Sequence, residues 1–430
     1  MWVKPLASEN TKKVFLKAGK NGGVTSVVAG KLHSLLLKSD GSLWAMGADN
    51  YGQLGNGAGS SADVTTPQKI VANGVTAIAA GAFHSLFLKS DGSLWGMGSD
   101  SQGEMGNGPG SSANVESPQQ IVASGVTAIG ACSGTSYFIK SDGSLWGMGQ
   151  DNDGQMGNGA GGSDVVTPQQ IVASGVTAVS SSPEGDRCFF IKSDGSLWGM
   201  GGDSSGSIGN GAGSSADVLT PQQIVASGVS SVACGKAHSL FVKSDGSLWV
   251  MGSDGSGELG NGAGSNTPVH SPQQIVATGV TKVSAGDEIS YFIKTDGSLW
   301  GMGKDANGQQ GNGPASNVNL ISPTQIVASG VADVDAGDSH CLYVKNDGSL
   351  WAMGSANNGQ LGDGAGSASV FTSKQVLASG ADVTPTTSIG FEGRTGVGQA
   401  VEYTVNEDTF SKQSFSLGVN SWNHVVMVLD

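Results

Sequence analysis

The stretch Lys38-Ser39-Asp40-Gly41-Ser42-Leu43-Trp44 recurs almost unchanged at seven places along the 430-residue chain. Successive copies lie 51 residues apart, with one interval of 52. The tryptophans that end the copies are Trp44, Trp95, Trp146, Trp198, Trp249, Trp300 and Trp351. A fixed period of this length indicates one supersecondary unit that is built repeatedly, and we interpret these tryptophans as its framework.

The second copy shows what each unit encodes. Residues 75–79 alternate in the manner of a strand, and residues 85–89 form a second apolar run. Asp91-Gly92 before the returning strand at 94–98 predicts a hairpin with a type I′ turn. After a glycine-rich loop, a fourth strand is predicted to begin at Pro118, where proline removes no ladder donor. Each copy therefore predicts four short antiparallel strands.

Both faces of these small sheets are apolar, so both must be covered. On the third strand of the second copy, Leu94 points to one face, and Trp95 and Met97 point to the other. Packing similar sheets around an axis covers both faces, and the first and last copies are as apolar as the others. The chain is therefore predicted to be all-β: a seven-bladed β-propeller of four-stranded antiparallel blades, with short β-rich extensions at both ends.

The predicted organisation has three parts. Residues 1–23 form an N-terminal arm with an extra strand around Val14, residues 24–380 form the propeller, and residues 381–430 form a small C-terminal β segment with strands at 400–405 and 421–430. We expect the strand around Val376 to close the ring by pairing into the blade that contains Val24. The strand around Val14 would then lie outside the ring.

The repeat also carries a family resemblance. Gly81-x-x-His84-Ser85, Asp91-Gly92-Ser93-Leu94-Trp95 and Gly103-x-Met105-Gly106 together resemble the repeat of the regulator-of-chromosome-condensation propellers, over about residues 24–380. One regular departure is Met-Gly, as at Met46-Gly47, where the family usually has Trp-Gly. The kelch propeller has a similar period, but its paired glycines are missing. The resemblance implies a propeller that presents loops to a protein partner.

Charge narrows the choice of partner. The chain has 21 basic and 35 acidic residues, a net charge of −14, which argues against nucleic acid and anionic membranes. No apolar run is long enough to span a bilayer, and the N-terminal arm lacks the apolar core of a secretory signal. The resemblance implies nucleotide exchange on a small GTPase, chromatin docking or β-lactamase inhibition. The first two fit poorly with the charge, and the third uses aromatic-rich faces, where only Phe83 qualifies.

Several chemically capable residues recur at framework positions. We interpret the recurrent histidine as a bridge from a turn to its own blade, and the lysine before each tryptophan as a solvated hairpin end. Six loop aspartates suggest calcium, but capping of a local turn explains them more simply. The cysteines lack metal-site spacing and are predicted to be free core residues, with a Cys132–Cys188 bridge left open. These histidines, aspartates and cysteines are His33, His84, His238 and His340; Asp49, Asp100, Asp151, Asp203, Asp254 and Asp305; and Cys132, Cys188, Cys234 and Cys341.

The turn between the first and second strands varies most between copies, so its residues are not required by the repeated fold. All seven such turns must lie on one face of the disc, around the mouth of the channel. They combine an acidic sector in copies four, six and seven with an apolar sector, which is typical of either a partner-binding face or a set of solvated turns. The predicted binding residues are Leu32, Phe83, Glu184, Asp186, Arg187, Asp287, Glu288 and Asp338.

These observations predict a non-enzymatic interaction or structural module without a cofactor. Near-identical copies and strands at both ends favour a displayed binding head in a surface assembly, such as a virion fibre, neck or decoration protein. It would bind a protein or glycan, assemble through its terminal strands, and reside on a virion or outside the cell. A secreted or cell-surface bacterial adhesin is one alternative. Another is a channel-mouth carbohydrate-active enzyme that uses Asp287 or Glu288 as acid or base. A catalytic pair must lie within one site, however, and the acids of the variable turns are spread over three blades.

Overall fold

The computed structural model describes residues 22–57, 62–108, 113–211, 216–262, 264, 267–313, 318–366 and 368–379. It also describes the backbone of six short strands in the terminal segments. The predicted strand at 421–430 lies outside these residues. Within the part of the chain that is described, no helix is long and apolar enough to cross a membrane.

The propeller contains seven four-stranded antiparallel sheets, numbered here as blades 1 to 7 in chain order. The inner strands are Val24–Ala29, Val75–Ala80, Val126–Ala131, Val176–Ser181, Val229–Cys234, Val280–Ala285 and Val331–Ala336. The second strands are His33–Lys38, His84–Lys89, Thr135–Lys140, Arg187–Lys192, His238–Lys243, Ile289–Lys294 and His340–Lys345. The third strands are Leu43–Gly47, Leu94–Gly98, Leu145–Gly149, Leu197–Gly201, Leu248–Gly252, Leu299–Gly303 and Leu350–Gly354. The outer strands are Val64–Val71, Val115–Val122, Val165–Val172, Val218–Val225, Val269–Val276, Leu320–Val327 and Val370–Leu377. The sequence-based fold class is confirmed.

The predicted ring closure is wrong. Val370–Leu377 pairs with the third strand of its own blade, through Leu350↔Leu377 and Gly354↔Val370. Blade 1 takes its outer strand from Val64–Val71, so every blade is continuous in sequence. The physical reason is that a hairpin closed by a local loop loses less chain entropy than a pairing across the whole propeller. The strand around Val376 therefore completes its own blade and does not exchange into blade 1.

The ring is closed by side-chain packing instead. Seven clusters of buried apolar side chains lie between neighbouring blades, one at each junction. At the junction of blades 7 and 1, called the seam below, Leu342 and Leu350 pack with Val27, Leu36 and Met46. Because each cluster draws on two blades, no blade has a complete core of its own. This arrangement accounts for apolar residues on both faces of each sheet.

The recurrent heptapeptide forms the hairpin between the second and third strands. In blade 1, Gly41 N donates to Lys38 O at 2.9 Å, and Gly41 has a φ of 77°. This bond places Ser39 and Asp40 at the centre of the turn and Gly41 in the bulge position, so the pattern is that of a type I turn with a G1 bulge. The predicted type I′ turn is wrong, because only the glycine needs positive φ.

The lysine and aspartate of the heptapeptide are structural. In all seven blades the lysine Nζ lies 4.0 to 4.5 Å from the centroid of the tryptophan ring, which is a cation–π contact. In blade 2, Asp91 accepts hydrogen bonds from Ser93 that lower its pKa, and Trp95 Nε1 donates to Ser93 Oγ at 2.8 Å. The lysines are therefore half-buried covers for the indoles, and not solvated ends as expected.

The outer strands begin earlier than predicted. Pro118 lies inside Val115–Val122, at a register irregularity between Gly96 and Gly98 of the neighbouring strand. An edge strand with a bulge tolerates proline, because no acceptor on a neighbouring strand requires a hydrogen bond from the missing N–H. The proline is thus accommodated by its position in the sheet, and not by the start of the strand.

The described residues divide into two units, the propeller from Gly22 to Ser379 and a second unit drawn from the two terminal segments. Within the second unit, Thr11–Val14 pairs antiparallel with Ile389–Glu392. Gln399–Val401 pairs with Gln413–Phe415, and Thr404–Val405 pairs with Asp408–Thr409. The strand expected around Val14 thus lies outside the propeller sheets.

Candidate functional site

The alternation of antiparallel strands gives the propeller two different faces. One face, called the hairpin face, carries the seven heptapeptide turns, which are nearly identical. The other, called the loop face, carries the variable turns between the inner and second strands, together with the glycine-rich loops. All the residues predicted to bind a partner belong to turns of the loop face. The candidate site was therefore sought there.

The turn of blade 4 reaches over the mouth of the central channel. It is one residue longer than its counterparts, and Pro183 lines the central cavity. Next to it, Glu184 Oε2 lies 3.1 Å from Lys31 Nζ of blade 1. Lys236 of blade 5 pairs with Asp287 of blade 6, also at 3.1 Å. The extra residue thus joins blades on different sides of the ring.

Three carboxyl groups converge at this mouth. Burial raises the pKa of Glu184, and nearby Asp338 and Asp287 raise it further, against the opposing effect of Lys31. Burial also raises the pKa of Asp338, and the nearby Asp287 carboxyl adds to that shift. We call Lys31, Glu184, Lys236, Asp287 and Asp338 the mouth cluster. As the sequence indicates, these acids come from three blades, and the inward turns bring them near enough for Asp338 and Asp287 to influence Glu184.

The other predicted charged residues take no part in the ion pairs of the mouth cluster. Asp186 has its pKa raised by burial and then by Asp153, a residue of the neighbouring blade's loop. Glu288 pairs with Lys304 of its own blade. Arg187 is 3% exposed, and its guanidinium donates to Gly235 O at 2.6 Å and to Lys236 O. Arg187 therefore joins blade 4 to blade 5 and does not present its charge to a partner.

The apolar sector contains an aromatic pair that the sequence did not reveal. The rings of Tyr51 and Phe83 lie 4.8 Å apart, and Tyr51 is 39% exposed. Lys31 Nζ lies 5.7 Å from the Phe83 ring, and Leu32 is half-buried beside it in the chain. Tyr51 was missed because it belongs to the glycine-rich loop of blade 1, whereas Phe83 belongs to the turn of blade 2.

The recurrent histidines join neighbouring blades, and not a turn to its own blade as expected. His84 Nε2 lies 3.0 Å from Ser136 Oγ of the next blade, and Ser136 Oγ donates to Glu104 O at 2.8 Å. Because the serine hydrogen points to that carbonyl, the imidazole must donate from Nε2. We call this arrangement the interblade clasp. The same clasps are formed by His33 with Ser85, His238 with Ser290 and His340 with Ser34.

Each clasp histidine is fully buried and neutral. Burial lowers the pKa of His33 and His238 to about 3, and that of His84 and His340 to about 4. A Cβ at Gly81 would lie 2.3 Å from His84 Cε1, which explains the glycine three residues before the histidine. In blade 3, Thr135 replaces the histidine and Cys132 replaces the glycine. The clasps are structural and give no support to a catalytic or metal-binding histidine.

Comparison with known families agrees with this architecture. Sequence models described as "Regulator of chromosome condensation (RCC1) repeat" match residues 40–88, 194–242, 245–293 and 296–344, and also residues 24–53, 75–104, 229–258, 280–309 and 331–360. Together these matches cover more than half of the chain. The chain belongs to the RCC1-repeat family. The family expectation drawn from the glycine, histidine and tryptophan pattern is confirmed.

Relatives of this RCC1-repeat protein include plant and animal members. It is 28% identical over 357 residues to the Ultraviolet-B receptor UVR8 of Arabidopsis thaliana, covering 79% of each chain. It is 27% identical over 338 residues to the human E3 ubiquitin-protein ligase HERC2, of which it spans only 7%. Prp20p of Saccharomyces cerevisiae superposes with a TM-score of 0.69 at 16% identity, covering 85% of this chain and 91% of Prp20p. Human WBSCR16 gives a TM-score of 0.67 at 19% identity, covering 78% and 94%.

The loop aspartates of the RCC1-repeat propeller cap their own loops. In blade 2, Asp100 Oδ1 accepts from Met105 N at 2.9 Å, and Asp100 Oδ2 accepts from Asn107 Nδ2 at 2.7 Å. The same bond to the backbone five residues on occurs in the six loops that carry the aspartate. The capping interpretation is confirmed. Among the described residues, no group of three or more His, Cys, Asp or Glu side chains is placed to hold a metal ion.

The channel below the mouth cluster is narrow. Its cavity of about 180 Å³ is walled by the inner strands of all seven blades, mostly by small apolar and serine side chains. Asp335 is the carboxylate on this wall among the described residues, and burial raises its pKa to about 6. The four cysteines are free and buried in the propeller core. Because the central cavity is small and its wall carries few polar side chains, the loop face offers the larger surface for binding a partner.

Proposed function

We propose that this RCC1-repeat propeller is a non-enzymatic protein-interaction module that docks its partner on the loop face. The contrast between the two faces carries the proposal. The hairpin face repeats one heptapeptide seven times and offers every sector the same chemistry. The loop face differs from blade to blade, with an aromatic pair of exposed Tyr51 and half-buried Phe83 in one sector and the mouth cluster beside it. A specific partner needs such differences, and exposed aromatic residues are common anchors at interfaces.

The relatives support a protein as partner. Propellers of the RCC1 family bind proteins, and Prp20p of yeast has been characterised for its binding to Gsp1p and histones. The net charge of −14 favours a partner with a basic surface, because complementary charge speeds encounter and disfavours other partners. A glycan partner has no comparable support from the relatives. We therefore place a protein ahead of a glycan.

The geometry of the acids supports a binding role over an enzymatic one. Asp287 pairs with Lys236 at 3.1 Å, so its carboxylate is already held by a lysine of this chain. Glu288, the other predicted acid or base, pairs with Lys304. Each acid nominated for the carbohydrate-active alternative, Asp287 or Glu288, is thus engaged by a lysine, which supports the binding role.

Site-specific photocross-linking tests the docking face. Phe83 replaced by a benzoyl-phenylalanine should give a defined protein adduct in cells that encode the chain. The matched control carries the same group at Ser90, an exposed residue of the hairpin face in the same blade. We expect an adduct at least about tenfold stronger from position 83, since this position belongs to the aromatic pair with the exposed Tyr51. Equal adducts from both positions would contradict the face, and the absence of any adduct would contradict the binding role.

We further propose that the propeller is the displayed head of a surface assembly, on a virion first and on a bacterial surface second. Supporting this, the described strands of the two terminal segments form a unit of their own, in which Thr11–Val14 pairs with Ile389–Glu392. Light scattering of the full chain should give a defined oligomer, and a chain of residues 22–379 should give the monomer mass of a single propeller. A monomeric full chain would count against the assembly role while leaving the docking face intact.

A further inference from the structure

In the mouth cluster, only one of the two oxygens of the buried Glu184 carboxylate accepts a hydrogen bond. The side chain of Glu184 is 8% exposed, and its Oε2 accepts from Lys31. Its Oε1 is buried without a hydrogen-bond partner. A buried carboxylate oxygen without a donor costs free energy, so its position requires an explanation.

The same cluster holds more carboxyl groups than cations. Glu184 pairs with Lys31 and Asp287 pairs with Lys236, whereas Asp338 adds a third carboxyl group near both. Asp287 and Asp338 repel each other when both groups are ionised. A further hydrogen-bond donor that carries positive charge would satisfy Glu184 Oε1 and relieve the repulsion between the aspartates. Since these acids are not placed to hold a metal ion, an organic cation fits the site better.

Lys31 already shows how such a cation is bound. Its ammonium contacts Glu184 at 3.1 Å and lies 5.7 Å from the centroid of Phe83, so a carboxylate and an aromatic face hold it together. Lys31 is 34% exposed, and it covers the less exposed Glu184. A side chain from outside could approach over the aromatic pair and take the place of Lys31 at Glu184.

We propose that the mouth cluster is a receptor for one arginine or lysine side chain of the protein partner, with Glu184 as its main acceptor and Lys31 as an internal competitor. This proposal rests on the docking face described above and specifies the chemistry of its centre. Arginine suits the site particularly well, because its planar group offers several donors to Glu184 Oε1 and Asp338 together. The insertion in blade 4 is then the feature that builds the receptor, since it carries Glu184 to the mouth.

The probe is a fluorescein-labelled nine-residue peptide with three arginines separated by glycine and serine. Its control replaces each arginine by citrulline, which keeps the shape and removes the charge. At 150 mM salt we expect the arginine peptide to bind measurably and the citrulline peptide to bind at least about tenfold more weakly, as charge-assisted hydrogen bonds are lost. Anisotropy titration measures both peptides on the full chain.

Four variants separate the site from general charge attraction. Glu184→Gln should weaken binding about tenfold, whereas Asp164→Asn, an exposed loop change of equal charge, should stay within about twofold. Lys31→Ala should strengthen binding about fivefold because it removes the competitor, and exposed Lys69→Ala is its control. If Glu184→Gln fails to give a cooperative thermal transition, Asp338→Asn replaces it.

Two results would overturn the receptor. One is the absence of arginine-peptide binding to both the wild-type chain and Lys31→Ala. The other is equal behaviour of each site variant and its control, which would mean attraction to the net charge alone. Neither result bears on the cross-linking experiment, because an adduct at position 83 needs no cation at the mouth. Failure of the receptor and failure of the docking face are thus distinguishable.

Discussion

Acidification from pH 7 to below pH 5 is expected to unfold the propeller, and the four interblade clasps are the main reason. His33, His84, His238 and His340 have pKa values lowered by burial to about 3 or 4, against 6.5 for an exposed histidine. Between those values the unfolded chain binds a proton at each histidine that the folded chain excludes. The clasp contribution is therefore fully present above pH 6.5 and is lost as the pH falls towards 4.

The size of this effect is comparable to the whole stability of a domain. At pH 4.5 each clasp should have lost about 2.5 kcal/mol, because one pKa unit corresponds to about 1.4 kcal/mol. Four clasps then remove about 10 kcal/mol, against a typical free energy of unfolding of about 5–15 kcal/mol. Asp335, whose pKa is raised by burial to about 6, acts in the opposite direction, and so do carboxyls with smaller upward shifts, such as those of Glu184, Asp186 and Asp338. The histidines should dominate.

Urea unfolding followed by tryptophan fluorescence at pH values from 7.5 to 4.5 measures the slope of stability against pH. His84→Gln keeps a hydrogen-bond donor for Ser136 but cannot be protonated, so the slope should fall by about a quarter. His270→Gln is the control, because His270 lies on an outer strand outside the clasps. A slope unchanged by His84→Gln, or reduced equally by His270→Gln, would show that the clasps do not govern acid stability.

Much of the fold follows from the heptapeptide, because its period and its apolar residues report local structure. The alternation within one copy is enough to predict the four strands of a blade, and the count of copies gives the number of blades. The hairpin type was wrong for a local reason. Asp-Gly is compatible with both a type I′ turn and a type I turn with a bulge. In the observed turn, Ser42 Oγ donates to Asp40 and Trp44 Nε1 donates to Ser42 Oγ, which the dipeptide alone does not reveal.

The site was less predictable, because it depends on distances across the ring. Lys31 and Glu184 are 153 residues apart and meet only because the blade 4 turn is longer. Burial separates Arg187 from its acidic neighbours in the chain, and the sequence marks it only as another charge in a variable turn. Tyr51 joins Phe83 through the packing of a loop from one blade on a turn from the next. The repeat period identifies which turns lie on the same face, but it does not show how far each turn extends over the channel mouth.

At the other junctions, a short segment of chain joins the outer strand of one blade to the inner strand of the next. At the seam between blades 7 and 1 the propeller has no such segment. Two aspartates unique to blade 7 lie there, at inner-strand positions that hold other residues in the remaining blades. Asp333 Oδ2 accepts from Val27 N at 3.1 Å, and Asp335 Oδ2 accepts from Ala29 N at 2.8 Å. Asp333 also pairs with Lys282 of blade 6. These bonds join the first inner strand to the last.

Replacing both aspartates should open the ring at the seam. Asp333→Ala with Asp335→Ala removes the acceptors of two backbone N–H groups and leaves Lys282 unpaired, so we expect the free energy of unfolding to fall by about 3–5 kcal/mol. The control is Ser231→Ala, the same repeat position as Asp333 in blade 5, with an expected change below about 0.5 kcal/mol. Hydrogen exchange should show the loss of protection in Val24–Ala29 and Val331–Ala336, with Val126–Ala131 unchanged.

Asp335→Asn separates the hydrogen bonds of the seam from the cost of burying its charge. The amide can still accept from Ala29 N and can donate to Ser284 Oγ, but it no longer ionises. With a folded pKa of about 6 against 3.8, the wild-type carboxyl loses stability as the pH rises from 3.8 through 6. Asp335→Asn should therefore stabilise the chain by up to about 3 kcal/mol at pH 7.5 and by about half as much at pH 5. Destabilisation at pH 7.5 as large as that of Asp335→Ala would mean that the ionised carboxylate itself, and not its geometry as an acceptor, holds the ring closed.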